Sequence, residues 1–296
     1  MRVFPTGARL EKGAGGLERL VLAGPGGEAH VYTHGAHVTH FQQAGGRPVL
    51  MMSSKAQFEA GTPGKPIRGG VPICFPWFGP RAGDAKAPMH GLARLLTWDV
   101  ESVTREDQGR LRATFMLTSN DYTRDAFPQD FALSYTVTVG ASLELALTAR
   151  HTGAAPLPCE VALHSYFAVS DVRQIAIRGL ERATYLDKTD KLARKVGGDG
   201  PIAIAGETDR VYVGTQATVT LHDPGWRRRI VVGKSGSNTT VVWNPWIEKA
   251  RAIPDLGDDD WQAMVCIEAA NAADDALTLA AGAAQTIVAT ISVEPE

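Results

Sequence analysis

Cysteine is scarce in this chain of 296 residues, and its spacing follows no ligand or disulfide pattern. The three residues, Cys74, Cys159 and Cys266, are odd in number, lie far apart and include no CxxC pair. This argues against a disulfide framework and against a zinc-finger-like site. Because each cysteine lies in an apolar stretch, the sequence predicts buried free thiols.

Long apolar runs and a large net charge are also absent. No run approaches the length of a membrane span, and residues 1–16 lack the apolar core of a signal peptide, so we expect a soluble, cytoplasmic protein. The formal net charge is −2 with histidine neutral, which leaves no broad basic field for nucleic acid or an anionic membrane. A site for an anion would therefore have to be a local arginine cluster.

Long helical patterns are missing as well, whereas strand patterns run through most of the chain. The strand-like segments are short, rich in Val, Ile, Thr and aromatic residues, and commonly separated by Gly, Pro, Asn or Asp. They are residues 30–43, 111–120, 131–153, 175–180, 217–224, 229–234, 239–245, 263–271 and 285–295. Residues 131–139 alternate in the period-2 pattern of a half-buried strand, and Gly140 predicts a hairpin turn after them.

These segments predict a single antiparallel β domain over residues 1–296, most simply two large sheets packed face to face. Apolar residues make up 44% of the chain, enough for a substantial core, and no repeat or Ser/Pro-rich linker divides it. Only residues 120–128 and 259–264 allow a turn or two of helix. The charged, glycine-rich residues 187–201 predict an exposed excursion between strands.

Two arginines stand beside glycines in segments that are otherwise largely apolar. PIRGGVPICFPWFGP, residues 66–80, holds one charge, Arg68, followed by two glycines and a run of prolines and aromatic residues. A core strand would not carry this arginine, and a surface loop would not carry so many large apolar side chains, so the segment predicts one wall of a site. MHGLAR, residues 89–94, supplies His90 and Arg94; the alternative there is an ordinary surface turn.

Two strand-like segments contain side chains suited to proton transfer. His164 lies among apolar residues in LHSYFAVSDV, where it is either a satisfied core histidine or an acid/base group with a pKa near neutral. Glu268 follows the core strand in MVCIEAAN. It either faces water at a strand end or turns inward, where a carboxylate is costly without partners. The residues alone leave both choices open.

Four histidines, His30, His34, His37 and His40, fall close together and suggest a metal site. On a strand, however, these spacings cannot keep all four side chains on one face. The HExxH pattern of a helical zinc site is absent as well. We therefore expect no physiological metal at these histidines.

Six segments together resemble one family, the hexose-6-phosphate mutarotases (glucose-6-phosphate 1-epimerases) of the aldose 1-epimerase-like group. In chain order they are IRGGVPICFPWFGP, MHGLAR, LHSYFAVSDV, ETDRVY, VVWNPWIEKA and MVCIEAAN. The resemblance runs from about Gly35 to the C-terminal strand and depends on the shared order rather than on any single motif. It implies an all-β fold, a large antiparallel two-sheet β-supersandwich of the galactose-mutarotase type.

The resemblance also implies a role for six residues. The catalytic pair is His164 as acid and Glu268 as base, and the substrate-binding residues are Arg68 and Arg94 for the sugar phosphate, Asp209 for a sugar hydroxyl, and His90 in the same pocket. Arginine suits phosphate because its planar fork can donate two hydrogen bonds.

Three neighbours of these residues extend the interpretation. Gly69 and Gly70 are expected to let the backbone pass close to the sugar. Met89 departs from the family pattern, because some members have a polar residue such as Gln immediately before the His-Gly pair. A thioether cannot replace an amide's donors, so one substrate contact of those members has no counterpart here.

The implied reaction interconverts the α and β anomers of a hexose 6-phosphate, with glucose 6-phosphate as the expected small-molecule partner. The base takes a proton from the C1 hydroxyl while the acid protonates the ring oxygen, and the scheme needs no cofactor or metal. The alternatives are a non-catalytic sugar-binding module, a mutarotase of unphosphorylated aldoses, and a glycosidase, which would need a second carboxyl group. The His164/Glu268 pair favours an enzyme, and the two arginines favour a phosphorylated sugar.

Overall fold

The computed structural model describes residues 4–296, and the first three residues of the N-terminal stretch considered above lie outside this range. Residues 4–296 form mainly short β-strands, numbered here in chain order. The strands are β1 (Ala8–Lys12), β2 (Glu18–Gly24), β3 (Gly27–Tyr32), β4 (His37–Gln43), β5 (Ile73–Cys74), β6 (Asp99–Arg105), β7 (Leu111–Thr118), β8 (Phe131–Val139), β9 (Leu143–His151), β10 (Leu157–Cys159), β11 (Val161–Leu163), β12 (Tyr166–Ala168), β13 (Ala176–Arg178), β14 (Thr184–Asp187), β15 (Ala193–Val196), β16 (Thr208–Tyr212), β17 (Val219–Asp223), β18 (Arg228–Ser235), β19 (Thr239–Asn244), β20 (Met264–Asn271), β21 (Leu277–Leu279) and β22 (Ala284–Pro295).

Helices are few and short. Within the described range they are α1 (Asp121–Ala126), α2 (Trp246–Ala252) and 3₁₀ turns at Ala14–Gly16, Ala93–Leu95, Asp107–Gly109, Lys188–Asp190, Pro224–Trp226, Asp260–Ala263 and Ala273–Asp275. The helical turns predicted at residues 120–128 and 259–264 are both confirmed. α1 begins with a capping box, in which Asn120 Oδ1 accepts the Thr123 N–H at 3.0 Å. None of the helices in residues 4–296 has the length and apolarity needed to cross a membrane.

Two eight-stranded antiparallel sheets dominate the fold. Sheet I has the order β15-β14-β16-β19-β20-β11-β5, with β12 also paired to β20, and sheet II has the order β13-β17-β18-β22-β9-β8-β7-β6. The predicted hairpin is present, because β8 and β9 pair along their whole length around Gly140. The all-β, two-sheet architecture is therefore confirmed. Two smaller sheets, β1-β2-β3-β4 and β10-β21, were not predicted.

The core is formed by the apolar faces of the sheets. On β7 the side chains of Leu111, Ala113, Phe115 and Leu117 are buried while those between them are at least partly exposed, as a strand with one covered face requires. Residues of this kind from both large sheets and the four-stranded sheet form one continuous apolar cluster. Burying one such side chain stabilises the fold by roughly 1.5–3 kcal/mol. The three cysteines are buried and free, as predicted.

Strand β20 differs from β7 because all eight of its residues are buried. Its edges pair with β19 and with the two short strands β11 and β12. Val265 and Ile267 enter the main core, whereas Ala270 enters a second apolar cluster. Periodicity along such a strand cannot separate inward from outward positions, so the burial of Glu268 follows only from the assembled sheet.

Residues 187–201 are not the plain exposed excursion that the sequence predicted. The 3₁₀ turn Lys188–Asp190 connects β14 to β15, and these two strands pair at the edge of sheet I. The Asp187 carboxylate accepts the Thr189 N–H at 3.0 Å and so fixes the start of the turn. The turn brings Lys188 to the cavity described below.

Candidate active site

One cavity of about 470 Å³ is lined by every residue that the sequence predicted for the site. The loop before β5 supplies Arg68, the β5–β6 connection supplies His90 and Arg94, the β11–β12 junction supplies His164, β16 supplies Asp209, and β20 supplies Glu268. The structure thus brings together residues that are far apart along the chain. Their proximity is a structural finding, whereas their individual roles stay predictions.

His164 and Glu268 face each other in the buried part of this cavity. His164 Nδ1 lies 3.3 Å from Glu268 Oε1, and the two side chains are only 6% and 1% exposed. The angle does not make this contact a hydrogen bond, and Nδ1 of His164 and Oε2 of Glu268 have no hydrogen-bond partner among the described residues. The Tyr166 ring stacks on the imidazole, with centroids 4.8 Å apart and planes 12° from parallel. Unpartnered buried polar atoms cost free energy, and functional sites are where folds retain them.

Burial shifts the pKa values of this pair in opposite directions. It raises the pKa of Glu268 well above its ordinary value, and the negative charge of Asp209 adds to that effect. It lowers the pKa of His164 well below its ordinary value, and the positive charges of Arg94 and Arg68 add to this. Both groups therefore favour their neutral forms. An anion beside the two arginines would offset their effect on His164.

Arg68 is held in place by two partners. Its Nε donates to Asp255 Oδ1 at 3.1 Å, and its Nη1 donates to the Tyr166 hydroxyl at 3.0 Å. Although burial works against the charge, Tyr166 and Asp255 together raise the pKa of Arg68, so it remains a cation. Because Tyr166 also stacks on His164, one phenol ring connects this cation to the proposed acid.

The glycines after Arg68 are required by the protein's own backbone, and their closeness to a bound sugar stays a prediction. Gly69 and Gly70 have positive φ angles of 100° and 61°. A Cβ on Gly69 would lie 2.5 Å from the Met51 carbonyl oxygen, and one on Gly70 would lie 2.2 Å from the Val38 carbonyl oxygen. Both distances are below any real contact, so the glycines are required by neighbouring protein backbone. Any side chain here would displace the loop that carries Arg68.

Arg94 is buried, whereas the other cations of the cavity are partly exposed. Its Nη2 donates to the Met89 carbonyl at 2.5 Å, and its Nε has no partner in residues 4–296. Burial lowers the pKa of this guanidinium. No carboxylate of the described residues forms an ion pair with it. Since a buried cation is costly without an anion, Arg94 marks the position where the cavity best accommodates negative charge.

His90 presents a fixed, neutral ring to the cavity. Its Nδ1 accepts the Gly79 N–H at 3.2 Å, which assigns the ring proton to Nε2 and makes that atom the donor. Burial, with Arg94 next in effect, holds the pKa of His90 well below its ordinary value. The ring meets His164 edge-on, with centroids 5.3 Å apart. His90 is therefore arranged to donate a hydrogen bond rather than to carry charge.

Three charged residues of the cavity were not predicted, namely Lys188, Lys249 and Asp255. Lys188 Nζ lies 3.3 Å from Asp209 Oδ2, and Lys249 Nζ lies 2.6 Å from Glu207 Oε1. Lys249 lies inside one of the six matched segments, so the resemblance could have indicated it. Lys188 had no such signal, because it lies in the charged stretch that was expected to face water.

The clustered histidines support the fold of this region. His34 and His37 each place Nε2 against a backbone carbonyl, of Lys65 at 2.7 Å and of Gly69 at 2.8 Å. His30 instead contacts Glu28. His37 thereby helps to hold the loop that presents the arginine of the cavity wall.

Comparisons with known proteins indicate the family and the fold of this chain. A family model described as aldose 1-epimerase matches residues 18–292. A relative from Cenchrus ciliaris named "Putative glucose-6-phosphate 1-epimerase" is 33% identical over 284 residues, which cover 93% of this chain and 84% of that protein. The crystal structure of a "putative mutarotase" from Salmonella typhimurium matches with a TM-score of 0.91 at 30% identity, covering 100% of this chain and 96% of that one. A galactose 1-epimerase from Lactobacillus acidophilus shares the fold, with a TM-score of 0.70 at 14% identity over 99% of both chains. The galactose-mutarotase type of sandwich is therefore confirmed.

Proposed function

The chain belongs to the aldose 1-epimerase family of isomerases, which interconvert sugar anomers, and on that premise we propose that its substrate is a hexose 6-phosphate. Glucose 6-phosphate is the hexose phosphate that we expect. The name carried by the Cenchrus ciliaris relative agrees with this choice. The main support, however, comes from the charges of the cavity.

The observation that carries the proposal is the unpaired charge of Arg94. The other cations of the cavity each have a carboxylate partner, in the pairs Arg68–Asp255, Lys188–Asp209 and Lys249–Glu207. A neutral sugar would leave Arg94 without an anion among the described residues. A phosphate dianion would pair with it, and the planar guanidinium can donate two parallel hydrogen bonds to one phosphate.

The chemistry needs one base and one acid at the anomeric carbon. Glu268 as carboxylate takes the proton of the C1 hydroxyl while His164 gives a proton to the ring oxygen, so the C1–O5 bond breaks and an aldehyde forms. Rotation about C1–C2 presents the other carbonyl face. Reclosure returns the proton from Glu268 to the C1 oxygen and the proton of the new C5 hydroxyl to His164, which restores both groups.

The spacing of the pair suits this reaction. Both reacting oxygens are bonded to the same carbon, so the acid and the base must lie close together. The 3.3 Å between His164 Nδ1 and Glu268 Oε1 meets that condition. An acid and a base placed this close together also help to align the reacting atoms, which lowers the entropic part of the barrier.

The phosphate would do more than hold the sugar. Burial and the charges of Arg94 and Arg68 disfavour the protonated imidazole that the reaction needs. A dianion beside the arginines offsets their repulsion and so favours protonated His164. The remaining hydroxyls would be positioned by the donor His90 and the acceptor Asp209.

Exchange NMR on glucose 6-phosphate and on glucose, under identical conditions and corrected for spontaneous exchange, tests this function. We expect a higher kcat/KM on the phosphorylated sugar. Glu268→Gln should lose about 10²–10⁴-fold in rate while keeping its circular dichroism spectrum, since glutamine has the same shape but cannot accept the proton. Equal rates on the two sugars would contradict the phosphate assignment, and full activity in Glu268→Gln would remove that residue from its role.

A further inference from the structure

Cys266 takes no part in the proposed reaction, yet it lies beside the acid–base pair. Side chains two positions apart on a strand point to the same face, so β20 directs Cys266 and Glu268 to the same side. One ligand atom from each of Cys266, Glu268 and His164 lies within 4.8 Å of the other two. The three residues are 0%, 1% and 5% exposed. A thiol, a carboxylate and an imidazole therefore meet in one buried position.

Two of these groups have lone pairs without a partner. His164 Nδ1 and Glu268 Oε2 make no hydrogen bond within residues 4–296, and Cys266 is a free thiol. The fully buried carboxylate of Asp223 is different, because it accepts the Ser170 N–H at 3.2 Å and lies 3.7 Å from Arg228. Burial alone thus does not leave carboxylates unpartnered in this protein. Among the described residues, Glu268 is the one buried carboxylate with an unpartnered oxygen, whereas unpartnered buried nitrogens also occur elsewhere, for example on His151.

The donor set matches one class of metal ion. Thiolate, imidazole and carboxylate are the ligand types of zinc sites that keep a fourth position open, whereas Mg²⁺ and Ca²⁺ prefer oxygen ligands. Zinc bonds of about 2.0–2.3 Å place tetrahedral ligands roughly 3.3–3.8 Å apart, so the three side chains need to close by about 1 Å. We propose that His164, Cys266 and Glu268 form an inhibitory zinc site, at which one Zn²⁺ binds in place of the sugar.

Binding leaves the charges balanced without any redox step. The Cys266 thiol and any protonated Glu268 carboxyl release their protons to solvent, neutral His164 binds through its ring nitrogen, and water takes the open position. The inhibitory part of the proposal rests on the proposed function, because zinc would occupy the lone pairs that move protons. The binding part does not rest on it.

Cobalt(II) titration without sugar tests the binding part. A cobalt ion with a thiolate ligand in a tetrahedral site shows visible d–d bands and a sulfur-to-metal charge-transfer band in the near ultraviolet. We expect both bands in the wild-type protein and in Cys159→Ala, which removes another buried free thiol. Cys266→Ser should lose the charge-transfer band. A charge-transfer band that persists in Cys266→Ser, or the absence of both bands from the wild-type protein, would contradict the proposed metal site.

The wild-type protein also gives a test that needs no variant. Saturating glucose 6-phosphate should erase the cobalt bands, because the sugar and the metal would compete for His164 and Glu268. In a protein that exchanges glucose 6-phosphate, bands that persist at saturating sugar would show that the metal binds elsewhere. This measurement tests metal binding at His164 and Glu268 even if the Cys266 variants fold poorly.

Zinc titration of anomer exchange tests the inhibitory part. Zn²⁺ should inhibit competitively with glucose 6-phosphate, and EDTA should reverse the inhibition. Cys266→Ser should keep the exchange activity and need at least about 10- to 100-fold more zinc for half-inhibition, because that loss is already seen when only an outer-shell partner of a ligand is removed. Unchanged zinc sensitivity in this variant, or stimulation by zinc, would overturn the proposal.

The two proposals fail separately. A protein that shows the Cys266-dependent cobalt band but exchanges neither glucose nor glucose 6-phosphate would keep the metal site and lose the proposed function. A protein that exchanges glucose 6-phosphate but binds no cobalt through Cys266 would keep the function and lose the metal site.

Discussion

Arg94 is the residue on which the proposed recognition of a phosphorylated sugar most depends. We predict that Arg94→Ala lowers kcat/KM for glucose 6-phosphate by about 10- to 150-fold, the equivalent of one charged hydrogen bond of roughly 1.5–3 kcal/mol. The loss on glucose should be much smaller. Because the phosphate lies on C6, away from the bonds that change at C1, most of the loss should appear in KM. Exchange kinetics on both sugars measure the difference, and Arg68→Ala should change them in the same direction.

Controls separate this effect from a general loss of structure. Arg112→Ala removes an exposed arginine of β7, with a side chain 51% exposed, and should leave both sugars unaffected. Inorganic phosphate should raise the melting temperature of the wild-type protein but not that of Arg94→Ala. Equal losses on glucose and glucose 6-phosphate would make Arg94 a structural residue.

Asp209 should control the acidic side of the pH profile. Glu268 is proposed to work as a carboxylate, and burial and then Asp209 raise its pKa, so kcat/KM should fall as pH drops through a value well above 4.5. Asp209→Asn removes the negative charge and also frees Lys188, 3.3 Å away. Both changes favour the Glu268 carboxylate, so the acidic limb should move to lower pH. An unmoved or raised limb would contradict this coupling.

The pH comparison uses the same substrate for both proteins. The phosphate of the sugar titrates with a pKa of about 6, and its ionisation affects wild-type and Asp209→Asn profiles alike. Only the difference between the two profiles therefore reports on Glu268. A lower overall rate in the variant is expected as well, since Asp209 is proposed to bind a sugar hydroxyl.

At the scale of single residues, the sequence predicted which side chains line the cavity better than it predicted how deeply each residue is buried. All six predicted residues reach one cavity. Lys188 was missed, since a lysine in a charged stretch usually faces water and only the β14–β15 turn brings it inward. The burial of Glu268 also could not be predicted, because a strand buried on both faces shows no alternation.

Among the elements, the loop after α2 is the one whose stability should affect the site. The Asp260 carboxylate accepts hydrogen bonds from Ser53 Oγ at 2.9 Å, from the Ser54 N–H at 2.9 Å and from the Gly257 N–H at 2.8 Å. It thereby joins two loops, one of which carries Asp255, the partner of the Arg68 cation. We predict that Asp260→Ala lowers the free energy of unfolding by about 1.5–3 kcal/mol.

Denaturant titration measures this change, and the adjacent residue provides the control. The exposed Asp259 carboxylate accepts only from Gln262 Nε2, at 3.3 Å, among the described residues, so Asp259→Ala should change stability by less than about 0.5 kcal/mol. Asp260→Ala should also raise KM for glucose 6-phosphate, since it loosens the support of Arg68. A stability equal to that of Asp259→Ala would show that the three hydrogen bonds contribute little.

Long alternating strands were predicted correctly, and very short ones were not. β8 and β9 follow the period-2 pattern over nine residues each. β5, β11 and β12 have only two or three residues, and their segments contain no complete alternation. β11 and β12 pair with β20, and β5 pairs with β11. These partners lie far away in the sequence, so no local pattern could identify the three short strands.

For the whole molecule, the C-terminal strand β22 is the element whose loss should destabilise the fold most. β22 lies inside sheet II and pairs with β18 on one edge and with β9 on the other. Deleting residues 284–296 would leave two rows of backbone donors and acceptors without partners. We predict that the truncated protein has no cooperative thermal transition and is largely insoluble.

Circular dichroism melts and soluble yield measure this outcome. Removing Glu296 alone is the control. This exposed residue lies beyond the strand and contributes one backbone hydrogen bond, to Arg227, and a contact with His222, so its loss should lower the melting temperature only slightly. A truncated protein that melts cooperatively near the wild-type temperature would show that β9 and β18 can close the sheet without β22.

The proposed proton-transferring groups and most cations of the cavity are attached to different kinds of structure. Glu268 lies on a buried central strand and His164 at the junction of two strands paired to it, whereas Arg68, Arg94 and Lys188 come from loops and 3₁₀ turns. Loops accept substitutions and insertions more readily than buried strands do. Over evolutionary time, such a scaffold can acquire or lose a preference for charged sugars through changes in its connections alone. The proposed acid–base residues on the strands would stay the same while the sugar specificity changed.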